Sequence, residues 1–199
     1  ELREYTGVII SEADRLQNLV DRLLAPYRTG RSLSDINIHE VLERVRQIIL
    51  AEFPKGLSFI RDYDVSVPTL RGDREQLLQV FLNIEKNAAE ALDGKIAEGT
   101  AEIRVITRVA QQVQIGLRRY RLALSIHIQD NGPGVPPEIR DRIFYPLVTG
   151  KANGSGLGLS LAQNFIRQHD GSIDVESEPG KTDFRILLPL SPPETGDIS

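Results

Sequence analysis

The sequence contains no cysteine among its 199 residues. Disulfide bridges and cysteine-ligated zinc are therefore excluded, which fits a cytoplasmic protein. It also lacks an excess of lysine and arginine, since its formal net charge is -4. Nucleic-acid binding is disfavoured, because proteins of that class neutralise phosphates with basic side chains.

Long apolar runs, a signal-peptide pattern and internal repeats are absent as well. A membrane-spanning helix needs about 20 consecutive apolar residues. The chain begins with Glu1 rather than methionine, so we expect it to be a fragment of a longer protein. Its length and its hydrophobic content of 40% suit one globular domain with an appendage.

Apolar residues recur at alternating steps of four and three in the first 25 residues: Ile9, Ala13, Leu16, Val20 and Leu23. This spacing predicts one helix with an apolar seam, as in helix bundles and coiled coils. The helix could pack onto its own domain or pair with an upstream helix, and the strict spacing favours the pair. Pro26 interferes with continuing it, and residues 26–36 have the composition of a linker.

Residues 37–190 mix helical and strand patterns and predict one α/β domain, with helices on one face of a mixed sheet. Helices are expected at 38–53, 73–92 and 156–168, the second with Asp73 as N-cap. Strands are expected at 57–63, 101–109, 120–130, 172–178 and 183–188. A loop is expected at 131–155, and residues 191–199 are expected to be a disordered tail, because they have little to bury.

One flank of the helix at 73–92 carries amide and carboxylate side chains. On a helical wheel Asn83, Asn87 and Glu90 fall together beside the apolar stripe. Their oxygens can converge on Mg²⁺, which takes one or two protein oxygens together with phosphates and water. Taken alone, a solvated helix flank explains the pattern more simply.

The segment Asp130-Asn131-Gly132-Pro133-Gly134 directly follows an apolar strand. An ionised Asp130 can only accept hydrogen bonds, so it suits an amino group such as that of adenine. Gly132 and Gly134 permit positive φ and a close approach of the backbone to a ligand. A plain turn would use the same residue types.

A second glycine-rich segment, at residues 154–160, opens the last predicted helix. The free N–H groups and the macrodipole of a helix N-terminus attract phosphate. The segment is neither a dinucleotide fingerprint nor a P-loop, because no strand immediately precedes it and no Lys-Ser or Lys-Thr follows its last glycine. Lys151 could reach a terminal phosphate or be an ordinary surface lysine.

The order of the three segments is more specific than any one of them. Together they resemble the N box and the two glycine boxes of histidine kinases, within the ATPase group that includes gyrase, the heat-shock chaperone ATPases and MutL. Residues 143–151 resemble the F box, and residues 179–184 with Leu188-Pro189 resemble the closing strand pair. Residues 13–16, 116–123 and 144–146 resemble the nitrogen-regulation (NtrB) type of sensor kinase.

The resemblance covers residues 1–190 and implies the two-layer α/β sandwich of this ATPase group. It implies that residues 37–190 form a catalytic ATP-binding domain and that residues 1–25 form the second helix of a dimerisation hairpin. The stretch 135–154 would be a mobile lid over the nucleotide.

The same resemblance implies roles at matched positions. Asn87 would hold Mg²⁺ with Asn83 in support, and Asp130 would contact the adenine amino group. The other implied nucleotide-binding residues lie in the adenine pocket (Gly132 and Gly134), at the phosphates (Gly154, Gly156 and Gly158) and at Lys151, Leu157 and Thr182.

The implied activity is phosphorylation by ATP of a histidine on the dimerisation hairpin, followed by transfer to an aspartate of a response regulator. The partners implied are a response regulator of the nitrogen-regulation type, a PII-type signal protein and a second copy of the full-length chain. A conformational ATPase of the gyrase, chaperone or MutL kind, or a module that holds ATP without catalysis, stays open. Conformational ATPases usually carry glutamate four residues before the metal asparagine, whereas Asn83 stands there and favours phosphoryl transfer.

Two features depart from the family pattern. Glu85 replaces an apolar residue and lies beside the core stripe, so we expect it to disturb packing more than chemistry. The phospho-accepting histidine is absent, because none of the three histidines has a suitable context. We expect His39 near a helix start, His127 on the polar face of a strand and His169 at the negative end of a helix.

Overall fold

The computed structural model describes residues 32–150 and 154–194. The predicted helix at residues 1–25, residues 26–31 of the predicted linker, Lys151 and residues 195–199 lie outside the described residues. Within the described ranges, none of the helices combines the length and the apolar character needed to cross a membrane.

Seven strands form two sheets in the described part of the chain. Their bounds are β1 (Leu33–Ile36), β2 (Leu57–Tyr63), β3 (Leu70–Asp73), β4 (Ala101–Ile115), β5 (Arg118–Asp130), β6 (Ser172–Glu178) and β7 (Lys181–Pro189). The larger sheet has the order β2-β4-β5-β7-β6 and is mixed, because β2 and β4 are parallel and the other neighbours are antiparallel. The smaller sheet pairs β1 with β3 in antiparallel fashion.

The helices are α1 (Ile38–Glu52), α2 (Arg74–Ala91), α3 (Asp93–Glu98), α4 (Pro137–Arg140) and α5 (Gly158–Gln168). Alternate residues are buried in the first half of β4, as at Val105, and at the end of β5, as at Ile126 and Ile128. These side chains form one core with Val41 of α1, Phe81 of α2 and Ile166 of α5. The helices therefore cover one face of the mixed sheet, and the predicted two-layer arrangement is confirmed.

Helix α2 begins where the sequence predicts. The carboxylate oxygen Oδ1 of Asp73 accepts hydrogen bonds from the backbone N–H groups of Glu75 and Gln76, both at 3.1 Å. These bonds satisfy two of the donors that a helix start leaves free, so the predicted N-cap is confirmed. Its apolar stripe is buried in the core: Leu77, Val80, Phe81, Ile84 and Ala88.

Two predictions at the chain's edges are wrong. The last four residues of the predicted linker form β1, where Ile36 is buried and pairs with Leu70. Residues 191–194 of the predicted disordered tail lie along β5, where Tyr120 bridges to Pro193 and the Glu194 N–H donates to the Arg119 carbonyl at 2.8 Å. In both places the segment is ordered because it pairs with the edge of a strand that is distant in sequence. Local composition does not predict such a pairing.

The hairpin of β4 and β5 is longer than predicted. The two strands pair as far as Ile115 and Arg118, beyond the expected limits of 109 and 120. Gly116 has a φ of 59° in the turn. A second, small apolar cluster of Ile115, Tyr120 and Ala123 stabilises this extension.

Candidate functional site

Asp130 occupies the last position of β5, between Ile103 of β4 and Thr182 of β7. It is only 7% exposed, and its Oδ1 accepts a hydrogen bond from the Gly132 N–H at 2.8 Å. Burial raises the pKa of Asp130 to about 6, although the Gly132 N–H acts in the opposite direction. Asp130 is therefore a carboxyl group at the edge of the core. Its second oxygen can accept a hydrogen bond from a ligand.

The loop after Asp130 needs glycine at two positions. A Cβ at position 132 would lie 2.6 Å from Asp130 Oδ1, closer than such atoms can approach. Gly134 has a φ of 86°, and a Cβ there would lie 2.9 Å from the Glu178 carbonyl oxygen. Gly134 is thus required by the backbone path, and Gly132 leaves room for the Asp130 carboxylate.

This first glycine loop rests on the turn between β6 and β7. The Gly180 N–H donates to the Gly132 carbonyl at 2.8 Å, and the Val135 N–H donates to Ser177 Oγ at 2.8 Å. Ser177 Oγ also lies 3.0 Å from Thr182 Oγ1. Thr182 is 4% exposed and neighbours Asp130 in the register, so the structure places these two predicted site residues side by side.

The second glycine segment begins α5 two residues later than predicted. Gly156 has a φ of 66°, which is not helical, and a Cβ there would lie 2.6 Å from the carbonyl carbon of Leu147. The Leu147 N–H donates to the Gly156 carbonyl at 2.9 Å. The segment is therefore hydrogen-bonded to the middle of the residues that resemble the F box.

The start of α5 has features that favour an anion. Among the described residues, no side chain caps its first N–H groups by a helix-capping hydrogen bond. Such groups and the helix dipole favour a phosphate. Leu157 is the N-cap residue and is 2% exposed, so its main chain rather than its side chain can face a ligand. Gly154, three residues before Leu157, is partly exposed.

Helix α2 joins the two glycine loops. Asn83 Nδ2 donates to the carbonyl of Gly158, the first residue of α5, at 2.9 Å. Near its other end, Leu92 lies beside Gly132, since a Cβ on that glycine would be 3.4 Å from Leu92 Cδ2. Asn87 lies one turn beyond Asn83 on the same helix face and is partly buried. The three predicted segments therefore meet around α2.

Gln79 is a contact of this site that the sequence analysis missed. Its Nε2 donates to Asn83 Oδ1 at 2.8 Å. The signal was available, because Gln79 lies four residues before Asn83 and so shares its helix face. Ser177, which supports the first loop, had no local signal, since it lies 42 residues beyond Val135.

The residues that resemble the F box pack partly against the sheet. Ile143 is buried, and the ring of Phe144 meets that of Phe184 edge to face, with centroids 6.3 Å apart. Tyr145 and Leu147, in contrast, are 61% and 67% exposed. The mobility proposed for residues 135–154 stays a prediction.

The three histidines have structural contacts in keeping with the sequence analysis. His39 stacks on Tyr63 with ring centroids 4.7 Å apart, and its pKa is lowered by burial despite the nearby carboxylates of Asp64 and Glu43. His127 Nδ1 lies 3.1 Å from both carboxylate oxygens of Asp183 on the face of the sheet away from the helices.

His169 has a second role that was not predicted. Its Nδ1 donates to the Phe165 carbonyl at 2.7 Å at the end of α5, as a residue at the negative helix end should. Its Nε2 accepts from the Asp73 N–H at 2.9 Å, which ties the end of α5 to the start of α2.

Glu85 lies on the core side of α2, as the helical wheel indicates. It is fully buried, and neither carboxylate oxygen has a hydrogen-bond partner among the described residues. Burial, and secondarily the carboxylate of Glu43, raises its pKa well above the ordinary value. Glu85 therefore belongs to the core rather than to the site.

Comparison with known proteins agrees with this arrangement. Residues 72–192 match the family model described as histidine kinase-, DNA gyrase B- and HSP90-like ATPase. The sensory histidine kinase/phosphatase NtrB of Salmonella typhimurium is 50% identical over 189 residues, which are 95% of this chain and 53% of the relative. The protein of the same description from Rhodobacter capsulatus is 40% identical over 198 residues, 96% of this chain and 54% of the relative. The chain thus spans about half the length of the curated relatives it matches.

Solved structures share the fold at low identity. Full-length ShkA in complex with AMPPNP matches 95% of this chain and 39% of its own, with a TM-score of 0.71 and 24% identity. Histidine kinase ThkA, in complex with response regulator protein TrrA, matches 100% of this chain and 53% of its own, with a TM-score of 0.66 and 22% identity. These likenesses confirm the predicted fold class.

Proposed function

Since the chain belongs to the family of histidine kinase-, DNA gyrase B- and HSP90-like ATPases, we propose that it is the ATP-binding kinase part of a nitrogen-regulation sensor kinase. The acceptor of the phosphoryl group is a histidine other than the three in this sequence. The group then passes to an aspartate of a response regulator of the nitrogen-regulation type. Relatives described as NtrB, at 40–50% identity, support this assignment.

The observation that best supports the proposal is that an asparagine, Asn83, lies where a catalytic base would be needed for hydrolysis. Hydrolytic members of this ATPase group usually carry a glutamate at this position, as general base for water. Asn83 is an amide with negligible basicity, and both of its ends are already hydrogen-bonded, to Gln79 and to Gly158. A site without that base favours transfer to a positioned acceptor over transfer to water.

The chain's own residues bind and orient the nucleotide in this proposal. Asp130 accepts a hydrogen bond from the adenine amino group, which requires its ionised form. Gly132, Gly134 and Thr182 surround that end of the nucleotide. Gly154, Gly156 and Gly158, with Leu157 through its main chain, bring the phosphates to the start of α5, and Lys151 reaches the terminal phosphate.

The donor set at Asn87 fits Mg²⁺. Asn87 offers an amide oxygen on the face of α2 that carries Asn83, and Mg²⁺ takes one or two protein oxygens and completes its shell with phosphates and water. The ion, when bound, would neutralise charge on the transferred phosphoryl group. A PII-type signal protein as modulator, a homodimer of the full-length protein and a cytoplasmic location complete the proposal.

The test uses radiolabelled ATP with detection of acid-labile phosphohistidine. The chain alone should bind ATP with Mg²⁺ but should not label itself. A separate dimerisation fragment that carries the acceptor histidine should become labelled, more slowly than within one chain, because the tether's effective concentration is lost. Asn87→Ala should abolish this labelling by removing the proposed metal ligand.

Other outcomes would contradict the proposal. Self-labelling at His39 would overturn our assignment of that residue. Steady release of phosphate from ATP by the chain alone would favour a conformational ATPase. Binding of ATP with neither labelling nor hydrolysis would favour a regulatory module that holds the nucleotide.

A further inference from the structure

Asn83 connects two helices through opposite ends of one amide group. Its Nδ2 donates to the Gly158 carbonyl on α5 at 2.9 Å, while its Oδ1 accepts from Gln79 Nε2 on α2 at 2.8 Å. Gln79 and Asn83 are both partly buried. The hydrogen bonds form a short relay from Gln79 through Asn83 to the first turn of α5.

The relay has a direction, because an amide has a donor end and an acceptor end. If the Asn83 amide turned over, its oxygen would face the Gly158 carbonyl oxygen, and two acceptors would repel each other. The Gln79 N–H group favours the observed orientation, since it needs an acceptor at Oδ1. The acceptor-only Gly158 carbonyl requires the donor end of Asn83, and the Gln79 N–H group at Oδ1 supports this orientation, which can hold α5.

The place that the relay holds is the phosphate end of the site. Gly158 packs directly on the Asn83 amide, since a Cβ on that glycine would lie 3.6 Å from Asn83 Cγ. The N–H groups proposed for the phosphates lie at this same helix start, and Asn87 lies one turn beyond Asn83 on α2. The relay thus links the proposed phosphate cradle to the helix that carries the proposed metal ligand.

We propose that Gln79 is a positioning residue of the nucleotide site. By donating to Asn83 Oδ1, it orients the Asn83 amide so that Nδ2 holds the Gly158 carbonyl and keeps the start of α5 beside Asn87. This inference rests on the proposed nucleotide-binding function and adds a residue that need not touch the nucleotide.

The chain offers a matched control at the other end of the same helix pair. Gln76 Nε2 donates to Gln168 Oε1 at 3.0 Å and so also links α2 to α5, but beside the C-terminal end of α5. Gln76→Ala and Gln79→Ala each remove one side-chain hydrogen bond of a glutamine on α2. A purely structural role of Gln79 would make the two variants behave alike.

The experiment measures AMPPNP affinity with Mg²⁺ by calorimetry, and the melting temperature without nucleotide. Gln79→Ala should weaken binding roughly threefold to tenfold, which is the worth of one neutral hydrogen bond. Gln79→Glu should weaken it at least as much, because a carboxylate attracts Asn83 Nδ2 and turns the oxygen toward Gly158. Gln76→Ala should lower the melting temperature and leave the affinity within about twofold.

A double-mutant cycle tests whether Gln79 acts through Asn83. In an Asn83→Ala background, Gln79→Ala should cause no further loss of affinity. Losses that add would overturn the inference, as would equal affinities of Gln79→Ala and the unaltered chain. Failure of the unaltered chain to bind AMPPNP would overturn the proposed function and this inference with it, so the two failures are distinguishable.

Discussion

Asp130 and Glu85 are two buried carboxyl groups in contrasting parts of the molecule. Burial raises the pKa of both, to about 6 for Asp130 and well above the ordinary value for Glu85. Asp130 lies at a strand end, is 7% exposed and accepts a hydrogen bond from Gly132. Glu85 is 0% exposed on the core side of α2, with no hydrogen-bond partner among the described residues.

The contrast teaches that burial and a raised pKa do not by themselves mark a functional carboxyl group. What distinguishes Asp130 is its place at a strand end beside the first glycine loop and a backbone donor that orients one oxygen. Glu85 has neither and carries the cost of burying a carboxyl group without a compensating hydrogen bond. We therefore expect substitutions of Asp130 to weaken nucleotide binding and substitutions of Glu85 to raise the free energy of unfolding.

The largest effect is expected at Asp130. Asp130→Asn allows a donor NH₂ to face the adenine amino group, and a buried mismatch of this kind costs about 1–3 kcal/mol. ATP affinity should fall roughly tenfold or more, with the fold retained. Calorimetry should find Asp183→Asn unaffected, since Asp183 lies on the other face of the sheet beside His127. Equal affinities for the Asp130 variant and the unaltered chain would remove Asp130 from the site.

At Glu85 we expect a gain in the free energy of unfolding, somewhat smaller than the loss of binding free energy at Asp130. Glu85→Val should raise the free energy of unfolding by about 1–2 kcal/mol near neutral pH, because burying an unpaired carboxyl group costs more than valine loses in helix propensity. ATP binding should stay nearly unchanged, since the side chain points away from Asn83 and Asn87. A lower melting temperature of the variant would show that Glu85 has a stabilising partner.

The pH dependence of stability sharpens the same prediction. The folded-state pKa of Glu85 lies above its ordinary value of 4.5, so its contribution is most favourable below about pH 4.5 and is lost as pH rises toward the folded pKa. Glu85→Val and Glu85→Gln should both flatten this part of the stability curve in urea unfolding. Unchanged curves would mean that Glu85 does not titrate between these limits.

The last expected effect concerns the pH dependence of binding. The proposed hydrogen bond from adenine requires the ionised form of Asp130, and the pKa of Asp130 is about 6. Affinity should therefore be retained above pH 6 and lost as pH falls through it. Between pH 7.5 and pH 5 the loss should be roughly tenfold. Asp130→Asn is the control, since it should keep only the pH dependence that belongs to ATP itself. A parallel decline in both proteins would contradict the assignment.

Much of the site could be predicted because its parts are local patterns. The N-cap of Asp73 depends on the residues just after it, and Asp130 at a strand end depends on the alternation before it. The glycines at 132, 134 and 156 were recognised as loop glycines, and the structure adds that a Cβ there would collide with the backbone or with Asp130. Gln79 was predictable by the same helical geometry and was overlooked.

Other features could not be predicted, because they join residues far apart in the chain. The hydrogen bond from Asn83 to Gly158 spans 75 positions, and that from Asp73 to His169 spans 96. β1 exists because β3 offers it an edge, and residues 191–194 are ordered because β5 extends beyond β7. The local composition and periodicity around the paired residues do not predict these long-range contacts.

The sequence by itself determined the class of the protein, since the order and spacing of three short segments select a nucleotide-binding α/β fold. It also determined which residues offer oxygens, amides and free helix N–H groups. Only the tertiary structure decided how these groups are oriented: that both ends of the Asn83 amide are bonded, that the Gly132 N–H orients one oxygen of Asp130 and that Glu85 has no hydrogen-bond partner among the described residues. The physical reason is that chemical type belongs to each residue, whereas orientation and burial arise only when distant segments pack together.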